Sequence, residues 1–195
     1  MMLFNMPLRA AAFGLAAFTL SAPASAAVDN RDPGRFVESL AVTGFAQLKG
    51  DRAKARGQFR GLLSQHFAVD SIGDKLIQRW RPTLKPGQVQ AYKAAFPSFI
   101  VGTYADRLYD YADASVKVVR VQNQGATAAV LSQVTRPGAR PVQAIWTLVK
   151  VGPGYKVSNL TVNGVNLSLA QRADFDSYVQ RNGFDALVAF MRRRG

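Results

Sequence analysis

Few residues in this sequence could carry out acid-base, nucleophilic or metal chemistry. It contains one histidine, His66, one glutamate, Glu38, and no cysteine. A metal centre needs several ligands at defined spacing, and His66 has no second histidine to join it. A catalytic base needs a partner within hydrogen-bond reach, and Glu38 stands alone on a predicted helix. We therefore expect His66 to be a packed or surface residue.

Three aspartates, Asp106, Asp110 and Asp113, follow one another at roughly helical spacing. This spacing could gather carboxylates around a cation, but the interleaved Arg107 is typical of a solvated helix face. The sequence also lacks a Gly-x-Ser-x-Gly motif, a phosphate-binding loop and a dinucleotide fingerprint. We predict a protein that is not an enzyme and uses no cofactor and no metal.

The N-terminal segment has the order of a secretory signal peptide. Arg9 precedes the apolar run 10–20, and small residues follow it. Eleven apolar residues are too few for a bilayer-spanning helix, which needs about 20. Cleavage fits best after Ala26, in Ala24-Ser25-Ala26, and almost as well after Ala27. We predict a signal peptide over residues 1–26 and a single periplasmic domain over residues 27–195.

The chain is strongly basic, with 25 Lys and Arg residues against 12 acidic ones and a net charge of +13. Loss of the predicted signal removes only Arg9, which leaves +12. Such a field attracts polyanions. Export, and the lack of any nucleic-acid-binding pattern, argue against nucleic acid. We expect anionic headgroups or an acidic protein instead, with Arg192-Arg193-Arg194 either a solvated tail or an electrostatic contact.

Apolar residues at helical spacing predict helices on both sides of a strand-rich middle. Pro33 follows a residue suited to capping a helix. The third helix is expected to carry Trp80, and Pro97 makes the next segment either one kinked helix or two shorter ones. The expected N-caps are Asp32, Asp51, Asp70 and Ser168.

Four short runs rich in Val and Ile predict strands. Their connectors contain Gly or Pro and have the length of hairpin turns, which favours an antiparallel meander. The runs cover residues 115–121, 126–134, 141–151 and 154–162. The expected fold is α+β: an antiparallel twisted sheet of about four strands with several helices packed on it.

Large aromatic residues are spread over the predicted helices and strands. They could line one interior space, or they could form an ordinary core, because apolar stripes at helical spacing are first of all what packs a helix on a sheet. They are Phe67, Trp80, Phe96, Phe99, Tyr104 and Trp146. The residues alone leave both interpretations open.

Several stretches resemble the MlaC family, also called the toluene-tolerance family, of periplasmic phospholipid-binding proteins. The resemblance lies in the order and spacing of moderately specific pieces over residues 32–192. These are Phe67-x-x-Asp70, Trp80-Arg81 with Gln88, Phe96, Tyr104-x-x-x-Leu108, the run Gly154 to Leu167, Gln171-x-x-x-Phe175, and Asn182 to Leu187. Asn159, Asn163, Ile77 and Pro97 depart from the family pattern.

The resemblance implies an apolar cavity that encloses acyl chains and leaves the headgroup outside. Alternating positions on the strands and one face of the long helix can supply its walls. The candidate lipid-binding residues are Phe67, Trp80, Phe96, Phe99, Ile100, Tyr104, Leu108, Val130, Val134, Val142, Ala144, Trp146, Leu148, Leu160 and Val162.

The resemblance also implies partners. The carrier would shuttle phospholipid between an outer-membrane lipoprotein complex and an inner-membrane ABC transporter with MCE domains, with only transient membrane contact. A hopanoid or another isoprenoid lipid is an alternative ligand. Two other interpretations stay open. The protein could be an exported accessory module with a solid core, or an enzyme that uses Asp70 or Tyr104.

Overall fold

The computed structural model describes residues 28–195, except for the side chains of Asp106 and Arg107. The predicted signal peptide, residues 1–26, lies outside these residues. The elements in chain order are α1 (Pro33–Gln47), α2 (Arg52–His66), α3 (Val69–Leu76), α4 (Pro86–Leu108), β1 (Ser115–Gln124), β2 (Thr127–Thr135), β3 (Val142–Val151), β4 (Gly154–Val162), β5 (Val165–Asn166), α5 (Leu167–Asn182) and α6 (Phe184–Arg194). The α+β prediction is confirmed. In the described part of the chain, no helix is long and apolar enough to cross a bilayer.

The first two helices begin at the predicted caps. The Asp32 carboxylate accepts hydrogen bonds from the backbone N–H groups of Gly34 and Arg35, at 2.8 and 3.0 Å. The Asp51 carboxylate accepts one from Lys54, at 2.9 Å. Such caps satisfy N–H groups that have no partner within the helix.

The third helix differs from its prediction at both ends. Asp70 was expected to be its N-cap, but that position is Ala68, and Asp70 lies in the first turn. Tertiary contact sets this start, because the Ala68 N–H donates to the Val157 carbonyl of β4 at 2.9 Å. The helix ends at Leu76, so Trp80 lies in the turn that follows and not on the helix.

The expected cap of α5 was also wrong. Ser168 lies inside the first turn, and the N-cap is Asn166, whose side-chain oxygen accepts a hydrogen bond from the Leu169 N–H at 3.0 Å. The two-residue strand β5, which the sequence did not predict, ends at Asn166 and moves the helix start two residues towards the N-terminus.

The segment containing Pro97 forms one continuous 23-residue helix. Pro97 is exposed, so its ring lies on the solvent side of α4. The opposite side is buried through Tyr92, Phe96 and Phe99. Packing of this face offsets the single backbone hydrogen bond that proline removes.

The strands form a meander in the order β1-β2-β3-β4-β5, with every neighbouring pair antiparallel. The β3–β4 turn consists of Gly152 and Pro153, and Gly152 has a positive φ of 56° that favours glycine. Irregular register occurs near Val118 of β1 and near Ser158 of β4. The sheet therefore has one strand more than the four expected, and the extra strand is very short.

The described residues form three groups of buried apolar side chains. A helical cluster joins α3, α4, α5 and α6 around Tyr92, Phe175 and Met191. A sheet cluster packs Phe36 and Leu40 of α1, with Leu62 of α2, against β2, β3 and β4. A smaller bridging cluster, Leu63, Val101 and Ala105, lies between α2 and α4. Half-buried side chains link it to the others: Phe67 also packs against the sheet cluster and Ile100 against the helical cluster.

Candidate functional site

The register places the predicted strand residues on one face of the sheet, called here the inner face. Directly opposed residues of antiparallel strands share a face, and the pairs include Val130 with Trp146 and Trp146 with Leu160. The inner face carries all eight: Val130, Val134, Val142, Ala144, Trp146, Leu148, Leu160 and Val162.

Burial along the inner face is uneven. Val130 and Leu148 are fully buried in the sheet cluster, against α1. Val142, Leu160 and Val162 are only half-buried and belong to none of the three clusters. The region where β3 begins and β4 ends is therefore an apolar surface that the helices cover incompletely.

Trp146 is held in place by a hydrogen bond from its indole N–H. Its indole N–H donates to the Ser132 hydroxyl oxygen at 2.9 Å, and that hydroxyl donates to the Ala144 carbonyl at 3.4 Å. Ser132 is fully buried, so both of its hydrogen bonds are needed. Sequence reasoning missed Ser132, although it occupies an inner-face position between Val130 and Val134.

The predicted helical residues do not all join the sheet residues. Phe96 and Phe99 lie in the helical cluster, at 3% and 4% exposure. Trp80 packs beside that cluster, and its indole N–H donates to Asp176 of α5 at 2.7 Å. These three side chains contribute to the packing of α3–α6 on one another, and their role in lipid binding stays a prediction.

Other predicted residues lie where the layers meet. Phe67 packs against both the sheet cluster and the bridging cluster, and Ile100 packs against both the helical and the bridging cluster. Tyr104 and Leu108 are half-buried near the end of α4. The Tyr104 hydroxyl lies 3.4 Å from Gln171 and donates to its side-chain oxygen, which links α4 to α5.

Two hollows are open to solvent, and both lie at the side of the molecule where Lys156 projects. One, of about 310 Å³, is lined by Asn30, Arg31, Gln65, Val151, Pro153, Gly154, Tyr155 and Lys156. The other, of about 260 Å³, is lined by Ser64, Phe67, Ala68, Val69, Asp70, Ser71 and Lys156. Phe67 is the only predicted lipid-binding residue in either lining.

Two residues that depart from the family pattern have structural roles here. The Asn159 side-chain oxygen accepts a hydrogen bond from the Ser168 N–H at 3.4 Å, at the start of α5. The Asn163 side-chain oxygen accepts one from the Gln143 N–H at 3.0 Å, and Asn163 adopts a positive φ of 47°. Asparagine tolerates that conformation better than most residues do.

Burial shifts the pKa of two side chains in the interior, His66 and Tyr92. The His66 imidazole packs against the Phe36 ring, with 6.0 Å between the ring centroids. Burial and the positive charge of Lys156 lower the pKa of His66. Burial raises the pKa of Tyr92, whose hydroxyl donates to the Gly73 carbonyl at 2.9 Å. No group of three potential metal ligands occurs among the described residues.

Comparison with known proteins decides the family. The model of the MlaC protein family matches residues 39–193. The chain belongs to the MlaC family. It is 30% identical to the toluene tolerance protein ttg2D of Pseudomonas putida over 101 residues, which are 51% of this chain. That match spans about half the length of the relative, 47%.

The fold of this MlaC-family protein is also found in a solved structure. That structure is of a phospholipid-binding protein from Ralstonia solanacearum in complex with a phospholipid. The TM-score is 0.70 at 23% sequence identity, over 84% of this chain and 96% of that one. At this identity the likeness establishes a shared architecture.

Proposed function

We propose that this protein is a non-catalytic lipid carrier that holds phospholipid acyl chains against the inner face of its sheet. The observation that carries the proposal is the half-buried apolar surface of Val142, Leu160 and Val162, next to the anchored ring of Trp146. Membership of the MlaC family and the fold shared with a phospholipid-bound protein support the same function.

Burial of acyl chains supplies the driving force. Each methylene removed from water contributes about 0.8 kcal/mol, so a chain of about 16 carbons gains on the order of 13 kcal/mol. A carrier must enclose most of a chain to compete with a bilayer. We infer that the acyl chains lie between the inner face and the C-terminal half of α4, where Tyr104 and Leu108 are half-buried.

The proposed carrier works in the periplasm after cleavage of its signal near Ala26. It receives and delivers lipid at two membrane complexes, an outer-membrane lipoprotein complex and an inner-membrane ABC transporter with MCE domains. The net charge of +12 that remains after cleavage supports this cycle, because long-range attraction to anionic headgroups and acidic surfaces speeds encounter.

Identification of the bound lipid tests the proposal. The full-length chain is expressed with its signal in a Gram-negative host, and the periplasmic form is purified, extracted with organic solvent and analysed by mass spectrometry. We expect phospholipid in a stoichiometric amount. Sequencing of the mature N-terminus in the same preparation locates the cleavage site, which we expect after Ala26.

The other outcomes are equally decisive. A stoichiometric hopanoid or isoprenoid would retain the carrier function and replace the substrate class. A protein that contains no lipid and takes up none from added vesicles would refute the carrier function. The inner face would then be the side of a solid core in an accessory module.

A further inference from the structure

The side chain of Arg136 joins the end of β2 to the end of α4. Arg136 follows β2 directly, two residues beyond Val134, which pairs with Val142 of β3. Its Nη1 donates to the Asp110 carbonyl at 3.2 Å, and its guanidinium carbon lies 4.4 Å from the centre of the Tyr111 ring. Asp110 and Tyr111 belong to the turn that follows α4. Arg136 therefore crosses from the sheet to the helical layer.

This crossing lies at the open end of the space proposed for the acyl chains. Away from Arg136, Val130 and Leu148 of the inner face are fully buried in the sheet cluster. Near Arg136, Val142 and Val162 are only half-buried. A lipid held between the inner face and α4 would therefore have its chains towards the sheet cluster and its headgroup towards Arg136.

One edge of the Arg136 guanidinium has no acceptor. Nε is buried and has no hydrogen-bond partner, and Nη2 has none among the described residues. No carboxylate of the described residues lies within ion-pair distance of Arg136. Arg31 shows how the same edge is filled, because its Nε and Nη2 donate to the two Asp29 carboxylate oxygens at 2.9 and 2.7 Å. Arg136 retains this pair of donors for an oxyanion.

We propose that Arg136 binds the phosphate of a phospholipid headgroup at the open end of the acyl-chain space. Two parallel N–H donors of a guanidinium match two oxygens of a phosphate. A buried N–H without an acceptor is costly, so a phosphate that accepts from Nε favours the lipid-bound form. The Tyr111 ring supports the guanidinium plane and is itself stacked on Phe45, with 6.4 Å between the ring centroids.

This inference rests on the proposed function, because a headgroup reaches Arg136 only when acyl chains occupy the space beside it. It adds a substrate class to that function. Lipids with a phosphate are bound in preference to lipids that have the same acyl chains and no phosphate. A charge-assisted hydrogen bond at a half-buried site should make this preference about tenfold.

Competitive uptake of two lipids tests the proposal. Delipidated mature protein is incubated with mixed vesicles of dioleoylphosphatidylglycerol and dioleoylglycerol, and the lipids bound to the separated protein are quantified by mass spectrometry. Both lipids come from the same vesicle, so attraction of the protein to the vesicle surface affects them equally. We expect Arg136→Gln to lower the ratio of bound phosphatidylglycerol to bound dioleoylglycerol about tenfold.

Two further variants separate the role of Arg136 from net charge and from folding. Arg120→Gln removes one arginine from the opposite face of the same sheet, where Arg120 is exposed and pairs with Leu131, and it should keep the wild-type ratio. Arg136→Lys keeps the charge but loses the two parallel donors, so its ratio should be intermediate. Circular dichroism of each variant confirms that it is folded.

The possible results separate this inference from lipid carriage itself. An Arg136→Gln protein that keeps the wild-type ratio, or loses both lipids equally, would overturn the inference and leave lipid carriage intact. Titration of the lipid-free protein with inorganic phosphate should show no saturable binding; saturable binding that Arg136→Gln abolishes would assign the site to free phosphate instead. A wild type that takes up neither lipid would refute the proposed function, and this inference with it.

Discussion

Ala144 and Ile145 are adjacent on β3 and face opposite sides of the sheet. Ala144 is 3% exposed on the inner face, beside the Ser132 hydroxyl, whereas Ile145 is 41% exposed on the outer face. Alternation along a strand makes this pair a direct probe of the two faces. A bulky side chain at Ala144 takes space from the proposed acyl chains, and the same side chain at Ile145 does not.

We expect Ala144→Trp to reduce bound phospholipid at least tenfold, and Ile145→Trp to leave it at the wild-type level. Ala144→Leu, which fills less volume, should fall between them and keeps the test valid if the larger side chain prevents folding. Lipid content is measured by mass spectrometry on variants whose circular dichroism matches the wild type. A folded Ala144→Trp protein with full lipid content would remove Ala144 from the proposed site.

At the scale of elements, Gly183 joins α5 to α6. Its φ of 83° and ψ of 164° lie in a region that only glycine adopts readily, and a Cβ there would meet no atom within 4 Å. Gly61, in the middle of α2, also has open space around it but has helical geometry. Because a Cβ would meet no atom at either position, backbone conformation decides the effect of a side chain at each glycine.

Replacing each glycine with alanine should therefore have opposite effects. Gly183→Ala is expected to lower the free energy of unfolding by about 1–3 kcal/mol, through backbone strain. Gly61→Ala should raise it by about 0.5–1 kcal/mol, because alanine is the better helix former. Urea unfolding measures both, and a Gly183→Ala variant as stable as the wild type would contradict the assignment of strain to Gly183.

At the scale of the whole molecule, the bridging cluster lies between the helical cluster and the sheet cluster. Leu62 and Leu63 are consecutive on α2 and almost equally buried, at 8% and 7% exposure, but Leu62 lies in the sheet cluster and Leu63 in the bridging cluster. The two tryptophans report on different layers, since Trp80 packs beside the helical cluster and Trp146 beside the sheet cluster.

Truncation of these leucines should distinguish packing within a layer from coupling between layers. Leu62→Ala and Leu63→Ala should each lower the free energy of unfolding by about 2–5 kcal/mol. Only Leu63→Ala should separate the unfolding curves of the two layers. Fluorescence in urea is recorded for each variant in a Trp80→Phe and in a Trp146→Phe background. Coincident curves for Leu63→Ala, or equal separation for both variants, would contradict the bridging role.

Local chemistry determined much of this protein. Asp32 and Asp51 cap their helices as predicted, because capping involves only the next few N–H groups. The four longer strands and their hairpin turns followed from alternation and from Gly and Pro, which are also local signals. The family was identifiable because the order of its motifs is a property of the chain itself.

Tertiary structure decided what depends on contacts between distant segments. The start of α3 is set by the hydrogen bond from Ala68 to Val157, and continuity of α4 through Pro97 depends on the packing of its buried side. Burial likewise separated the aromatic residues, placing Phe96 and Phe99 in a helical core and Trp146 over Ser132 on the sheet. Periodicity shows which face of a helix or strand is apolar, but only the assembled layers determine which neighbour that face meets.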